Sequence, residues 1–381
     1  MRILLIGEYS RLHNSLKEGL LELGHEVILV SDGDGFKQYP SDFYITPKVL
    51  VNRFFNIPRQ IIFRIFKYDF AQIERGIKFY RLLSKLKNYD VVQLINEAPI
   101  KTDRLFEKFL LNKLIKQNKK TFLLCCGVDY TIVKYMIDKK PRYSIMDPYF
   151  KDKSFIGEYR YIFDYVSKKH KKLHDFLYKK VNGIIASDMD YYLPLKGHPK
   201  FLGLVPNPIN LSKIEDSEPS INDKIIIFLG INRGTYHKKG IPFFEEALKI
   251  IKSKYPDKIE IIVTESIPYN EYIKLYSKAH ILLDQVYAYD QGYNALEAMA
   301  TGKVVFTGAE KEFTEYYNLS EKVAINALPD RDYLITELSY LIENPEEIIA
   351  ISKRARAFIE KEHKHISVAE KYIEKWETKN H

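Results

Sequence analysis

The 381 residues include only two cysteines, and these are neighbours, Cys125 and Cys126, inside the apolar run TFLLCC. Adjacent thiols in a strand-like run read as packing groups, so no disulfide framework is expected, and the expected compartment is the cytoplasm. No apolar run approaches the ~18 residues that a membrane span needs. The opening RILLIG is followed at once by Glu8 and by no small-residue cleavage site, which reads as a first strand rather than a signal peptide. That strand runs into GEYSRLHNS, which lacks a G-x-G-x-x-G turn. A dinucleotide pyrophosphate has no close approach there, although Asp32 ends the second strand where a ribose-binding acid would sit. A dehydrogenase is thereby set aside. No nucleic-acid recognition motif accompanies the basic residues, so nucleic acid is not an expected partner.

What is present is the composition of a folded chain: 46% hydrophobic, 29% charged and 14% aromatic residues. The net charge of +9 is unevenly placed. Residues 1–210 carry 36 Lys and Arg against 22 Asp and Glu, and residues 211–381 carry 23 against 28. Such asymmetry fits two domains with different partners. A basic half suits an anionic substrate or an anionic membrane surface; a solvated lysine-rich face is the plain alternative.

Apolar runs alternate with helical patterns throughout. In the first half the strand candidates are RILLIG, EVILVS, DVVQLI, TFLLCC, GIIAS and FLGLV, with helices expected over about 10–23, 103–117 and 161–179. Residues 51–86 are basic and aromatic at helical spacing, and residues 130–158 look like an irregular insertion. The Pro-rich VPNPIN and the polar stretch after it mark a linker. The alternation then restarts with KIIIFLG, IEIIVT, HILLD and VVFTG. The fold class expected is α/β, with two doubly wound Rossmann-like domains facing across a cleft. The expected divisions are residues 1–208 for the first domain, 209–222 for the linker, 223–362 for the second domain, and 363–381 for a helix packing back on the first domain.

Ligands of such sheets sit beyond the carboxyl ends of the strands. After the strand KIIIFLG comes GINRGTYHKKG, where Arg233 and Lys239 lie six apart in a loop that enters a helix. Two cations there suit a diphosphate, Arg as a fork and Lys as a point charge. Further on, YAYDQGYNALEAMATGKVV places Gly292 before a short helix. Gly292 permits close backbone approach, and the N–H groups around Tyr293 and Asn294 can face an anion. Glu297 lies one turn in, able to accept two hydroxyl hydrogen bonds from a ribose diol; the plain alternative is a Glu reaching solvent from an Ala-rich core helix. TESIPYNEY is a weaker candidate for reading a base edge.

These residues together resemble the nucleotide-sugar-binding domain of GT-B fold glycosyltransferases, in particular the retaining family 4, group 1 type with its E-x7-E signature. In that family an Arg and a Lys six residues apart, the Lys preceding Gly, clamp the donor diphosphate, and Arg233 with Lys239-Gly240 matches. ALEAMATGKVV matches the segment around the second glutamate, which makes Glu297 the ribose-binding one by resemblance. VPNPIN is similar to the turn that closes the family's first domain, and LLELGHEV to its first helix-to-strand join. The resemblance covers most of the chain, strongly over 224–308 and weakly over 30–180. One departure stands out: where the family has its first glutamate this chain has Tyr289, with Asp290 next to it and Asp284 nearby as the carboxylates for donor-sugar hydroxyls.

In the first half Gly7-Glu8-Tyr9 with His13, Asn96-Glu97 and Gly127-Val128-Asp129 follow strands. Asp129 is the expected catalytic residue, with Glu97 and His13 behind it. The resemblance implies transfer of a sugar from a nucleotide diphosphate sugar to a glycan or lipid-linked acceptor, with retention. No cofactor or metal is expected, since two cations already oppose the diphosphate and no Asp-x-Asp strand-end motif stands where GT-A enzymes place one. A nucleotide-sugar 2-epimerase or a phosphorylase is the alternative on the same architecture. RQIIFRIFKYDF and YVSKKHKKLHDFLYKK, which mix cations with apolar residues, also raise peripheral docking on the inner face of an anionic membrane, against the simpler reading of a core-facing helix stripe.

Overall fold

Leu-, Ile- and Val-rich runs form the strands, and lysine-rich amphipathic segments form the helices between them. The computed structural model describes residues 1–378 apart from 53, 55, 56, 58, 61–63, 65–68, 215–219, 222, 266 and 268. The first sheet contains β1 (Arg2–Ile6), β2 (Glu26–Ser31), β3 (Phe43–Tyr44), β4 (Val91–Leu94), β5 (Lys120–Cys125), β6 (Gly183–Ala186) and β7 (Phe201–Leu204). Its order is β3-β2-β1-β4-β5-β6-β7, with every pairing parallel. The second contains β8 (Ile225–Ile231), β9 (Ile259–Glu265), β10 (Ile281–Leu283), β11 (Val304–Thr307) and β12 (Ile325–Asn326), in the order β12-β11-β10-β8-β9, again all parallel.

Strand order reverses between β1 and β4 in the first sheet and between β8 and β10 in the second. Those two switch points are where open parallel sheets leave a crevice for a ligand. Both faces of each sheet are covered, which is why the strands read as continuous apolar runs. One face of the first sheet takes Leu12, Leu16 and Leu20 together with Tyr372 and Trp376 from the far end of the chain. The other takes Phe79, Leu110, Leu114, Leu173 and Leu177.

The helix His365–Glu377 therefore completes the first domain's core. Gly19 makes this fit, since a Cβ there would lie 2.3 Å from the His365 carbonyl oxygen. Trp376 is 1% exposed and its Nε1 donates to Gln93 Oε1 at 2.8 Å. Where the chain crosses between the domains its two passages are tied: Ile209 N donates to His363 O at 2.7 Å, and His365 N donates to Ile209 O at 3.1 Å.

Two local expectations change. The helix foreseen over 161–179 is two helices, Ile156–Phe163 and Lys168–Lys180. Ser167 Oγ accepts His170 N at 3.2 Å and caps the second, so the hydroxyl starts a new helix. The insertion over 130–158 is largely helical, with Tyr130–Ile137 and Asp147–Lys151 before Ile156–Phe163. It reaches across to the second domain. Arg142 pairs with Glu310 and Glu312, both at 2.7 Å, and the Tyr143 hydroxyl donates to Glu310. Phe155 stacks on His237 at 3.9 Å, and His237 Nδ1 lies 2.6 Å from Glu158 Oε1.

Candidate functional site

At the end of β8 the side chain of Asn232 accepts Gly234 N at 2.9 Å and turns the chain into the cationic loop. The loop closes at Gly240, whose φ of +68° and 2.2 Å clearance between a built Cβ and Val286 Cγ2 admit only glycine without displacement. This fixes Lys239, whose Nζ donates to Asp284 Oδ1 at 2.7 Å beyond the end of β10. The Asp284 side chain is 2% exposed and that of Lys239 34%. Arg233 is turned to another carboxylate: its Nε and Nη2 reach Glu265 Oε1 and Oε2 at 2.8 and 2.6 Å, at the end of β9. The two cations thus stand at one sheet end but hold different carboxylates. The Arg233–Glu265 pair is open to solvent, with 55% and 42% of the side chains exposed. Such pairs contribute only about 0–1 kcal/mol, so an anion arriving at the loop can take the guanidinium over.

The helix Tyr293–Ala300 starts at Gly292, and among the described residues no side chain caps it. Its first-turn N–H groups therefore remain open donors at the positive end of the helix dipole. The side chains at its start are otherwise engaged. The Tyr293 hydroxyl donates to Pro208 O at 2.9 Å and lies 2.7 Å from Ser15 Oγ, tying the second domain to the first. Asn294 Nδ2 donates to Asp284 Oδ1 at 3.3 Å. Tyr293 and Asn294 can thus serve a diphosphate through the main chain. One turn in, the Glu297 carboxylate accepts no hydrogen bond from the described residues. Burial raises its proton affinity above the ordinary glutamate value, and the charges of Arg11 and Lys37, facing it from the first domain, offset part of that.

Between the domains lies a cavity of about 370 Å³. Tyr135, Met136, Pro141, Tyr143 and Ile145 give it an apolar wall from the insertion, and Gln285 with residues 287–293 forms the opposite wall. Tyr289 stands eight residues before Glu297. Its hydroxyl accepts Arg142 N at 2.7 Å and its ring lies 5.3 Å from that of Tyr143, so it is a packing and tethering group. Asp290 accepts Gln291 N at 2.6 Å and Met189 N at 3.2 Å. Burial and the neighbouring Asp188 charge push it up to about 7.

Asp188 and Asp190, beyond the end of β6, share this cavity. Asp188 caps the helix Met189–Leu195 and burial pushes it up to about 6. Asp190 Oδ2 accepts Tyr289 N at 3.3 Å, and burial with the Asp188 charge raises its carboxyl well above the ordinary value. Asp188-Met189-Asp190 is thus an Asp-x-Asp at a strand end, which corrects the premise that no such motif stands at one, and the strand-end rule applied to GIIAS points to it. Arg142 and Tyr143 carried no comparable signal, because their role depends on where the insertion folds. Among the described residues, no group of three or more His, Cys, Asp or Glu side chains is placed to hold a metal ion. Residues 266 and 268 of TESIPYNEY lie outside the described residues, and with them part of the base-edge reading.

The three first-domain candidates do not line the cavity. Asp129 caps the helix Tyr130–Ile137 through Oδ1, 2.8 Å from Ile132 N. Burial, with the Glu97 charge second, pushes it up to about 7. Its predecessors Gly127 and Val128 are the residues that reach the cavity. Glu97 is fully buried and accepts His170 Nε2 and His174 Nδ1 at 2.6 Å each, with Tyr130 N at 3.1 Å. It holds the helix Lys168–Lys180 to the sheet; although burial opposes ionisation, these hydrogen bonds and charges hold it down at about 2. His13 Nδ1 donates to Gly7 O at 2.8 Å, its Nε2 is buried without a partner among the described residues, and burial lowers the ring's pKa to about 3, so the ring is neutral. All three sit one layer behind the cavity wall.

Residues 237–374 match the profile of the glycosyl transferase-like family. No curated protein sequence matches the chain. Among solved structures, sucrose-phosphate synthase from Thermosynechococcus elongatus is similar with a TM-score of 0.61 at 13% identity, over 98% of each chain. HepE from Anabaena, in complex with UDP-glucose, is similar with a TM-score of 0.58 at 10% identity, over 98% of each chain. UDP-GlcNAc 2-epimerase from Neisseria meningitidis, bound to UDP-GlcNAc, gives 0.53 at 12% identity, over 98% of this chain and 99% of that one. At such identities the structural likeness speaks for the fold, which is GT-B. The family match runs from the cationic loop into the helix His365–Glu377, about a third of the chain.

Proposed function

We propose that this protein is a glycosyltransferase that moves a sugar from a nucleotide diphosphate sugar to a glycan or lipid-linked acceptor, with retention, in the cytoplasm. The observation that carries the reading is the pairing of an uncapped helix start at Gly292 with the unpartnered Glu297 carboxylate one turn later. A diphosphate at the open N–H groups puts the attached ribose within the helix's first turns, where Glu297 can accept from both hydroxyls. Lys239 stands beside the same helix through Asp284, and Arg233 is releasable from Glu265.

In this reading the bond between the anomeric carbon and the diphosphate oxygen breaks as the acceptor oxygen bonds that carbon. Lys239, Arg233 and the helix N–H groups stabilise the charge growing on the leaving diphosphate. On the retaining path a leaving phosphate oxygen takes the acceptor proton on the same face. The cavity beside Gly292 receives the transferred sugar, with Asp290 and Asp190 as hydrogen-bond partners for its hydroxyls. The basic first domain holds the acceptor.

The test is a thermal-shift screen of nucleosides, nucleoside diphosphates and nucleotide sugars, followed by product analysis with and without acceptors. A ligand at a hundred times its Kd stabilises by roughly 2.7 kcal/mol. Stabilisation by diphosphates but not by nucleosides is expected. No response to any diphosphate refutes the reading, and conversion of a nucleotide sugar without an acceptor replaces it with the epimerase.

A further inference from the structure

Helices Ala71–Leu82 and Arg104–Lys116 cover one face of the first sheet, with Phe79, Leu110, Leu111 and Leu114 fully buried beneath them. They carry a second apolar stripe that the core does not use. Ile77 is 42% exposed, Tyr80 49%, Leu105 50% and Phe109 47%. Ile77 and Tyr80 are three apart on one helix, Leu105 and Phe109 four apart on the other, so each pair shares a face. The Tyr80 and Phe109 rings, 6.3 Å apart and 22° from parallel, join the two pairs into one patch. Gly76 holds the helices close, since a Cβ there would meet Phe106 Cε1 at 2.4 Å. Single exposed apolar residues are ordinary; four in one contiguous patch mark an interaction surface.

The cations beside the patch are also unspent. Arg81, Lys113 and Lys116 line an open depression of about 550 Å³ together with Tyr80. None of the three has an ion-pair partner among the described residues, whereas Lys101, Arg104 and Lys119 in the same domain are paired with Asp32, Glu107 and Asp90. Lys113 Nζ lies 5.0 Å from the Phe109 ring centroid and 5.8 Å from that of Tyr80. The neighbouring helix Lys168–Lys180 turns Leu173 and Leu177 into the core and leaves Lys168, Lys172, Lys179 and Lys180 exposed. Of the segments singled out by sequence, this one therefore supplies charge without apolar insertion, and residues 61–63 and 65–68 of the other lie outside the described residues.

We propose that this face docks the protein on an anionic lipid bilayer, with Ile77, Tyr80, Leu105 and Phe109 entering the interface and Arg81, Lys113 and Lys116 meeting lipid phosphates. Exposed aromatic rings flanked by unpaired cations match a surface that is apolar below and anionic above. The inference stands apart from the transfer chemistry, since the patch shares no residue with the cleft.

Flotation of the full chain with vesicles tests it. Phosphatidylcholine vesicles containing phosphatidylglycerol should carry the protein at low salt, and pure phosphatidylcholine vesicles should not. Lys113→Gln and Arg81→Gln should each lower partitioning about fivefold. Phe109→Ser should lower it while leaving the salt dependence, and Lys252→Gln, on an exposed helix position of the second domain, should change nothing. No flotation at low salt, or equal flotation of Phe109→Ser and the unmodified chain, overturns the proposal. A change of oligomeric state on Phe109→Ser without any vesicle binding overturns it in favour of a protein contact.

Discussion

Lys239→Ala perturbs two things at once, and the structure allows them to be separated. The substitution removes a cation 2.7 Å from Asp284, whose side chain is 2% exposed and whose other donors, Asn294 Nδ2 and Thr307 Oγ1, are long at 3.3 and 3.4 Å. Stripping one partner from a buried pair costs about 3–5 kcal/mol. The lysine is a third exposed, so water replaces part of the lost interaction and we expect about 2–3 kcal/mol. For a domain of this size that lowers the transition on the order of 5–10 °C. Adding Asp284→Asn removes the stranded charge and should restore about 2 kcal/mol of it, since an uncharged amide carries a far smaller burial cost. Affinity for the diphosphate behaves differently. It should fall roughly 10- to 100-fold in Lys239→Ala, the range of a charge-assisted hydrogen bond, and stay down in the double variant. Denaturant titration and calorimetric binding of the best diphosphate measure both. If the double variant regains affinity along with stability, Lys239 is a structural residue and its diphosphate role is refuted.

Glu297→Gln should weaken a ribonucleotide donor by about tenfold with little loss of stability, because the amide keeps the shape but only one acceptor; equal binding of ribo- and 2′-deoxyribonucleotides by the unmodified protein would refute the ribose contact. Asp290 is held up to about 7 against an ordinary 3.8, so the folded chain keeps a proton the unfolded chain has lost; its contribution is full below about pH 4 and is lost as pH rises through about 7. Stability of Asp290→Asn measured against the unmodified protein should therefore improve steadily from pH 4 to 7 and level off above; a difference flat in pH refutes the buried carboxyl. Trp376→Ala should cost about 3–5 kcal/mol in the first domain's transition and leave Gln93 Oε1 buried without its donor, and a cost below about 1 kcal/mol in denaturant titration would show that the last helix is dispensable to that core.

The parallel sheets were legible because strands buried on both faces are continuous apolar runs. The expected KIIIFLG and IEIIVT became β8 and β9 within a residue or two of their ends. Two-residue strands were not: Phe43–Tyr44 and Ile325–Asn326 are too short to carry a period, and only the neighbouring strand selects them. The first helix begins at Leu12, later than its pattern suggests, because Ser10 and Arg11 hold left-handed φ of 49° and 71°. In the second domain the candidate site lies in two local segments, each written in sequence as glycine, cation or carboxylate at fixed spacing. In the first domain a strand end shows which residues approach the cleft, not which way each points. Asp129, Glu97 and His13 all follow strands, yet capping, paired histidines and a carbonyl turn their polar atoms into the layer behind it. Asp188 and Asp190 follow a strand too, and their helix opens toward the cavity.

The placement of Tyr372 and Trp376 in the first domain's core also fixes an order of events during synthesis. The sheet strands of that domain are complete once β7 has left the ribosome, but the face over Leu12, Leu16 and Leu20 stays uncovered until the last helix emerges. At roughly 5–20 residues per second the wait lasts on the order of 10–30 s. Throughout that interval the nascent chain presents an apolar groove shaped for the helix His365–Glu377. The second domain, made between the two, can close first, and the earlier one is sealed only when the helix His365–Glu377 emerges.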